Sequence, residues 1–189
     1  EKIGSSFFEK RRSGQLVRDV KAYSKNYQED ILPSNYDSNK RNILILNSSE
    51  DEFVAIGDIF ENKALFKNQE IGIHKICSKF KEDSSFHFYL RIHPNLKNIS
   101  YDYVLRLVTL EEKYKNLTVI KSDSNISTYK LMDICEKVIV FGSSTGVEAN
   151  YWRKPVINLA GSFYYYLNVA YQPDSKTEMF ELIQNEDLK

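Results

Sequence analysis

The stretch from Lys137 to Leu159 constrains this chain more than any other. An apolar run, Val138-Ile139-Val140-Phe141, breaks at Gly142-Ser143-Ser144-Thr145-Gly146 and resumes as Val147-Glu148-Ala149-Asn150-Tyr151-Trp152. After Lys154-Pro155 a second apolar run follows, Val156-Ile157-Asn158-Leu159. Strand, tight loop, helix and strand in so few residues is the unit of a parallel sheet. The first turn of the helix leaves backbone N–H groups without intrahelical partners, and glycines and hydroxyls leave room for an oxygen-rich ligand. Ser143, Ser144 and Thr145 are therefore candidate phosphate ligands. The same residues also fit plain capping, with Ser144 or Thr145 as cap and Thr145-x-x-Glu148 as a capping box, and spacing alone favours capping.

The rest of the chain repeats the alternation. Ile43-Leu44-Ile45-Leu46 reads as a central strand buried on both faces, Phe86 through Ile92 as a second, and Leu117-Thr118-Val119-Ile120 as a third. Between them the apolar stripes predict helices over 68–80, over 100–114 with Ser100 as cap, and from Ser127 or Thr128 onward; a last helix is predicted over 175–184. The pattern specifies an α/β fold: a Rossmann-like doubly wound parallel sheet of five or six strands with helices on both faces. Residues 1–40 are polar, with Leu16, Val17, Val20 and Tyr23 forming one stripe on a helix expected over 14–27 and Phe7-Phe8 preceding it. They read as an N-terminal arm or interdomain connector ahead of a 41–189 domain. Arg11-Arg12 has the chemistry to touch a phosphate, but an exposed charge pair on a connector is the favoured reading.

Each strand runs into a polar loop, so the loops gather on one rim, where open α/β sheets bind ligands. His93 stands at the end of the second strand, and Pro94 forces it into an extended conformation. The imidazole suits donation to a phosphate oxygen or general acid and base work near neutral pH, and it equally suits a turn in which it bonds a neighbouring carbonyl. His87, flanked by Phe86 and Phe88, reads as structural. The acidic run Glu50-Asp51-Glu52 after the first strand offers a metal ligand or a base, although such runs are more often solvated and favour the next helix N-terminus. Phe163-Tyr164-Tyr165-Tyr166 has the aromatic faces to stack on a base or sugar, or it packs as an edge with its hydroxyls wet.

Composition removes several classes. Lysine plus arginine equals aspartate plus glutamate, 26 each in 189 residues, so no net field favours nucleic acid. Cys77 and Cys135, the two cysteines, sit in apolar helical patterns and read as buried hydrophobes in a reducing compartment. No apolar run approaches the roughly 18 residues that span a bilayer, no signal-peptide pattern opens the chain, and no metal cluster is apparent. The expected location is cytoplasmic, either free or at the inner face of the membrane. The chain begins at Glu1 without a methionine, as a piece of a longer protein would.

Taken together, three segments resemble the donor-binding half of GT-B glycosyltransferases: Ser48-Ser49-Glu50-Asp51-Glu52-Phe53; Arg91-Ile92-His93-Pro94-Asn95; and Gly142-Ser143-Ser144-Thr145-Gly146-Val147-Glu148-Ala149 with Lys154-Pro155. The resemblance is to capsular polysaccharide biosynthesis proteins and their relatives, the bacterial polysialyltransferases and Kdo transferases, over about residues 42–183. It implies that His93 holds the donor phosphate and serves catalysis, that Ser143, Ser144 and Thr145 bind the same phosphate, and that Glu148 lies near the ribose. Asp51 or Glu52 would contact the sugar or base. No cofactor is implied. The substrate would be a nucleotide sugar, CMP- or UDP-linked, and the glycan acceptor would be held by a further N-terminal domain that a chain of this length lacks. An isolated domain would then bind donor without turning it over.

Three other readings stand beside this one. Gly142-x-Ser144-x-Gly146 matches the nucleophile elbow of α/β-hydrolases, although that family places its histidine after the serine and all three histidines here precede it. A nucleotide-sugar epimerase of GT-B architecture shows similar histidine and hydroxyl-loop motifs. A non-enzymatic module that binds a nucleotide or another protein is the third.

Overall fold

The structure, a computed structural model, describes residues 2–15, 17, 31–49, 63–97 and 102–189. Five short strands form one parallel sheet: β1 (Arg41–Leu46), β2 (Phe86–Arg91), β3 (Leu117–Ile120), β4 (Lys137–Val140) and β5 (Val156–Asn158). Their spatial order is β3-β2-β1-β4-β5. The chain therefore builds outward from β1 in one direction, then crosses back to lay β4 on its other side. The register sets Leu44 between Tyr89 and Val138, and Leu46 between Arg91 and Val140.

Side chains alternate with the two-residue period of a strand, so each strand feeds two cores. Ile43, Ile45, Phe88, Leu90, Val119, Ile139 and Ile157 pack into one core with helices α2 (Gln69–Lys79), α3 (Asp102–Lys113) and α6 (Lys176–Gln184). Leu44, Leu46, Tyr89, Val138, Val140 and Val156 face the other way, against α4 (Thr128–Ile134) and α5 (Thr145–Tyr151). This is the Rossmann-like α/β architecture that the alternation predicts. Asn68, Ser127 and Ser175 cap α2, α4 and α6, each accepting a backbone N–H with its side-chain oxygen. The expected cap of α3, Ser100, lies outside the described residues.

Two charged residues fasten α6 to the amino edge of the sheet. Arg41 Nη1 donates to the Gln184 carbonyl at 2.9 Å, and the buried Lys137 ammonium donates to the Ile183 carbonyl at 3.1 Å. These are the carbonyls a helix C-terminus leaves unpaired, so the cations satisfy them and complement the helix dipole. Glu136 balances the charge, accepting from Arg41 and from Lys137 at 2.8 and 2.7 Å.

The N-terminal stretch departs from expectation. The helix observed there is α1 (Lys2–Arg12), which contains Phe7 and Phe8 instead of following them. Most of the helix expected over 14–27 lies outside the described residues. Nor is Arg11-Arg12 an exposed pair. Arg12 pairs with Asp133 at 2.5 Å and lies over the Trp152 ring, while Phe8 stacks on Tyr151 with ring centroids 4.5 Å apart. The physical reason is aromatic cover: two large rings, Tyr151 and Trp152, stand at the end of α5, and α1 covers part of their surface. Among the described residues no helix is long and apolar enough to cross a membrane.

Candidate functional site

The sheet order reverses between β1 and β4, and the crevice outside the carboxyl ends of those strands is the topological switch point. Three strand ends are tied together there. Asn47, buried just past β1, accepts the His93 backbone N–H on Oδ1 at 2.8 Å, which joins the end of β1 to the end of β2. Ser48 donates its hydroxyl to the Phe141 carbonyl at 3.0 Å, which joins β1 to β4. Gln69, the first residue of α2, then brackets the Ser48 backbone, accepting its N–H at 2.7 Å and donating to its carbonyl at 3.1 Å.

His93 sits where this rim and Pro94 place it. Its φ of −57° and ψ of 133° are the extended values that a following proline imposes, and Pro94–Leu96 turns as a 3₁₀ helix. The imidazole Nδ1 accepts the Asn95 N–H at 3.2 Å. In the neutral ring the hydrogen is therefore on Nε2, and the side chain is half-buried. The turn contact of His93 differs from the expected bond to a neighbouring carbonyl: the ring accepts a backbone N–H.

The loop from Gly142 to Gly146 is held from the β5 side. Gly142 takes a φ of 79°, which a side chain would strain, and its N–H donates to Asn158 Oδ1 at 3.0 Å. Tyr164, fully buried, donates its hydroxyl to the Ser143 carbonyl at 2.8 Å. That approach needs Gly146 bare, because a Cβ there would overlap the Tyr164 hydroxyl. Ser143 is buried and its Oγ accepts the Thr145 N–H at 3.3 Å; Ser144 is exposed and Thr145 half-buried. Among the described residues the N–H groups of Ser143 and Ser144 have no hydrogen-bond partner.

The capping box does not form. α5 begins at Thr145 with Ser144 as cap residue, and Ser144 makes no side-chain cap bond, so Glu148 falls one position too far along to reach back. Glu148 is instead 4% exposed and turned between α4 and α1. Its Oε1 accepts from Arg11 Nε at 3.0 Å and pairs with Arg11 Nη2 at 2.9 Å, and its Oε2 accepts the Tyr129 hydroxyl at 2.5 Å. Burial pulls the Arg11 guanidinium down, but the charge and hydrogen bond of Glu148, with Tyr129, together outweigh it and the net displacement is upward. Burial first, and then the Glu148 charge, push the Tyr129 phenol well above its ordinary value. Asp51 and Glu52 lie outside the described residues.

Several residues that build the rim carried no signal in the sequence. Asn47, Gln69, Asn158 and Tyr164 act through partners far away in the chain. Arg91 is another: buried at the end of β2, it donates to the carbonyls of Lys121 at 2.5 Å and Ser124 at 3.2 Å, and so holds the loop after β3. Lys154 closes the carboxyl end of α4 by donating to the Cys135 carbonyl at 2.8 Å. Ser144 has ordinary helical backbone, φ −57° and ψ −24°, without the strain of a nucleophile elbow, and among the described residues no histidine bonds its hydroxyl.

The sequence profile described as "Capsule polysaccharide biosynthesis protein" matches residues 8–185. The chain belongs to that family. No curated protein matches it in sequence. Among solved structures, it is similar to the Thermosulfurimonas dismutans KpsC beta Kdo 2,4 transferase, with TM-score 0.61, 12% identity, and coverage of 96% of this chain and 53% of that one. The beta Kdo 2,7 transferase of the same KpsC gives TM-score 0.50 and 16% identity over 96% of this chain and 50% of that one. S. aureus MnaA, in a structure with UDP, gives TM-score 0.52 and 13% identity over 82% of this chain and 41% of that one. At these identities the likeness is one of fold. The chain spans about half the length of the KpsC structures. The chain is thus a capsule polysaccharide biosynthesis family member whose Rossmann-like α/β fold is shared with these solved structures.

Proposed function

We propose that this chain is the donor-binding half of a glycosyltransferase that makes capsular or surface polysaccharide, and that a nucleotide sugar binds at the rim between β1 and β4. One observation carries the reading: the ends of β1, β2 and β4 are hydrogen-bonded into a single rim at the switch point, with His93 on one side and the Ser143-Ser144-Thr145 loop on the other. In this reading the donor phosphate lies between the His93 Nε2–H and the hydroxyls and free N–H groups of the loop. As the bond between sugar and phosphate breaks, the leaving oxygen gains negative charge, and those preorganised donors stabilise it without reorganising. The acceptor hydroxyl takes the sugar, and its proton passes to a base that another part of the enzyme supplies. Glu148 receives the ribose hydroxyls.

Calorimetric titration of the 189-residue chain with CMP, UDP, GDP and CDP tests the reading. Binding of one nucleotide, weakened at least tenfold by His93→Ala and by Ser144→Ala with melting temperature unchanged, is the expected result. Unchanged affinity in both variants would overturn the assignment of the site, and no binding by the wild type at millimolar nucleotide would overturn donor binding by this chain. Product analysis with the bound nucleotide's sugar donors separates transfer from epimerisation.

A further inference from the structure

Both oxygens of the Glu148 carboxylate are already engaged, and the pattern of engagement is informative. A carboxylate offers about four acceptor positions. Arg11 fills two on Oε1 through Nε and Nη2, and Tyr129 fills one on Oε2. One position on Oε2 remains. The side chain is 5% exposed, in surroundings where an unpaired carboxylate would be costly. Arg11 and Tyr129 come from α1 and α4, so two elements fix a group carried by a third.

We propose that Arg11 is a positioning residue for ribose recognition: its guanidinium, held on Oε1, keeps the Glu148 carboxylate turned so that the remaining acceptor position on Oε2 meets a ribose hydroxyl. The proposal rests on the donor-binding reading given above, and it gives α1 a role in the site. Tyr129 completes the arrangement by fixing Oε2 from the α4 side. A cation is required because the carboxylate is buried; a phenol alone does not neutralise it. Arg12, next to Arg11 on α1, pairs separately with Asp133, so α1 keeps a second ion pair when Arg11 is changed.

The test is a ratio. The affinity of the full 189-residue chain for its preferred ribonucleotide is compared with that for the 2′-deoxy and 3′-deoxy forms, in the wild type and in Arg11→Met, Arg11→Lys and Tyr129→Phe. The wild type should prefer the ribonucleotide over one deoxy form by roughly tenfold or more, the size of a charge-assisted hydrogen bond. Arg11→Met should bring that ratio to about one while leaving affinity for the deoxy form unchanged, and Arg11→Lys should recover part of it. Tyr129→Phe should reduce the ratio by a smaller factor, and it supplies the readout if Arg11→Met fails to fold. Equal weakening toward ribo and deoxy forms, or an unchanged ratio, would overturn the proposal and leave the donor site standing. A wild type that binds ribonucleotide and deoxynucleotide equally would also overturn it, whereas one that binds no nucleotide would remove the donor-binding reading and this proposal with it.

Discussion

Gly146→Ala tests how the loop from Gly142 to Gly146 is held. A Cβ at this position would overlap the Tyr164 hydroxyl and lie 3.2 Å from its Cζ and 3.3 Å from Val140 Cγ2. Tyr164 is fully buried, and its hydroxyl is anchored on the Ser143 carbonyl, so neither ring nor hydroxyl moves freely. Overpacking of this kind costs about 1–3 kcal/mol, and loss of the buried hydrogen bond costs about 1 kcal/mol more. The Ser143 carbonyl keeps its second partner, the Gly146 N–H at 3.0 Å, which limits the hydrogen-bond part. Alanine normally gains about 1 kcal/mol over glycine inside a helix, so the net expectation is a loss of about 2 kcal/mol. Tyr164→Phe alone should cost about 1 kcal/mol. In the double variant the overlapping hydroxyl is gone, so its cost should fall short of the sum of the singles by at least about 1 kcal/mol, the signature of direct contact. Urea denaturation of the four proteins measures the cycle. Strict additivity, or a Gly146→Ala variant as stable as the wild type, would refute the packing argument.

Further consequences follow from charge and burial elsewhere. His87, 4% exposed and bonded to Thr118 at 2.8 Å, is pushed down to about 4 by burial and by Lys40. The unfolded chain then binds a proton below about pH 6.5 that the folded chain refuses, so stability is intact above that value and is lost as pH falls toward 4, by up to roughly 3 kcal/mol. His87→Gln should flatten that part of the urea-midpoint profile, and parallel profiles for the two proteins would refute the assignment. Cys77, pushed up to about 12 by burial, and Cys135, pushed up likewise, should react with a thiol reagent only after denaturation; prompt native labelling would contradict it. Lys137→Met should leave the Ile183 carbonyl and the Glu136 carboxylate short of a partner, costing about 2–3 kcal/mol and raising hydrogen exchange in α6 ahead of the sheet.

The parts of the fold that follow from periodicity were legible in the sequence. Ile43 to Leu46, Leu117 to Ile120 and the run after Lys137 are strands because unbroken apolar runs bounded by polar loops have few other uses in an alternating chain. The starts of α4 and α6 were legible to within a residue, and Ser127 and Ser175 cap them through contacts between near neighbours. The boundary of α5 was harder. Capping boxes are common enough that Thr145-x-x-Glu148 reads as one, yet the box requires a cap at Thr145, and a start one residue earlier removes it. In the N-terminal stretch α1 went unread for a different reason: it is specified by the rings it covers at the end of α5, a contact that no local pattern announces.

The partners of the site residues lie beyond any local pattern, and this bears on how such a site is read. Asn47 meets His93 across 46 residues, Ser48 meets Phe141 across 93, and Arg11 meets Glu148 across 137. His93 and Glu148 could be nominated from residue type and position after a strand or a loop, because the rim of an α/β sheet collects whatever follows its strands. What each can do depends on the other residue: Asn47 fixes the backbone that carries the imidazole, and Arg11 holds a buried carboxylate in place. An Asn47→Ala variant should therefore weaken nucleotide binding in the same direction as His93→Ala although Asn47 itself is buried, because the His93 N–H loses its acceptor and the Nε2–H its fixed aim. If Asn47→Ala left affinity unchanged while His93→Ala abolished it, Pro94 and the Asn95 N–H alone would suffice to hold the ring, and the tie between β1 and β2 would belong to stability and not to the site.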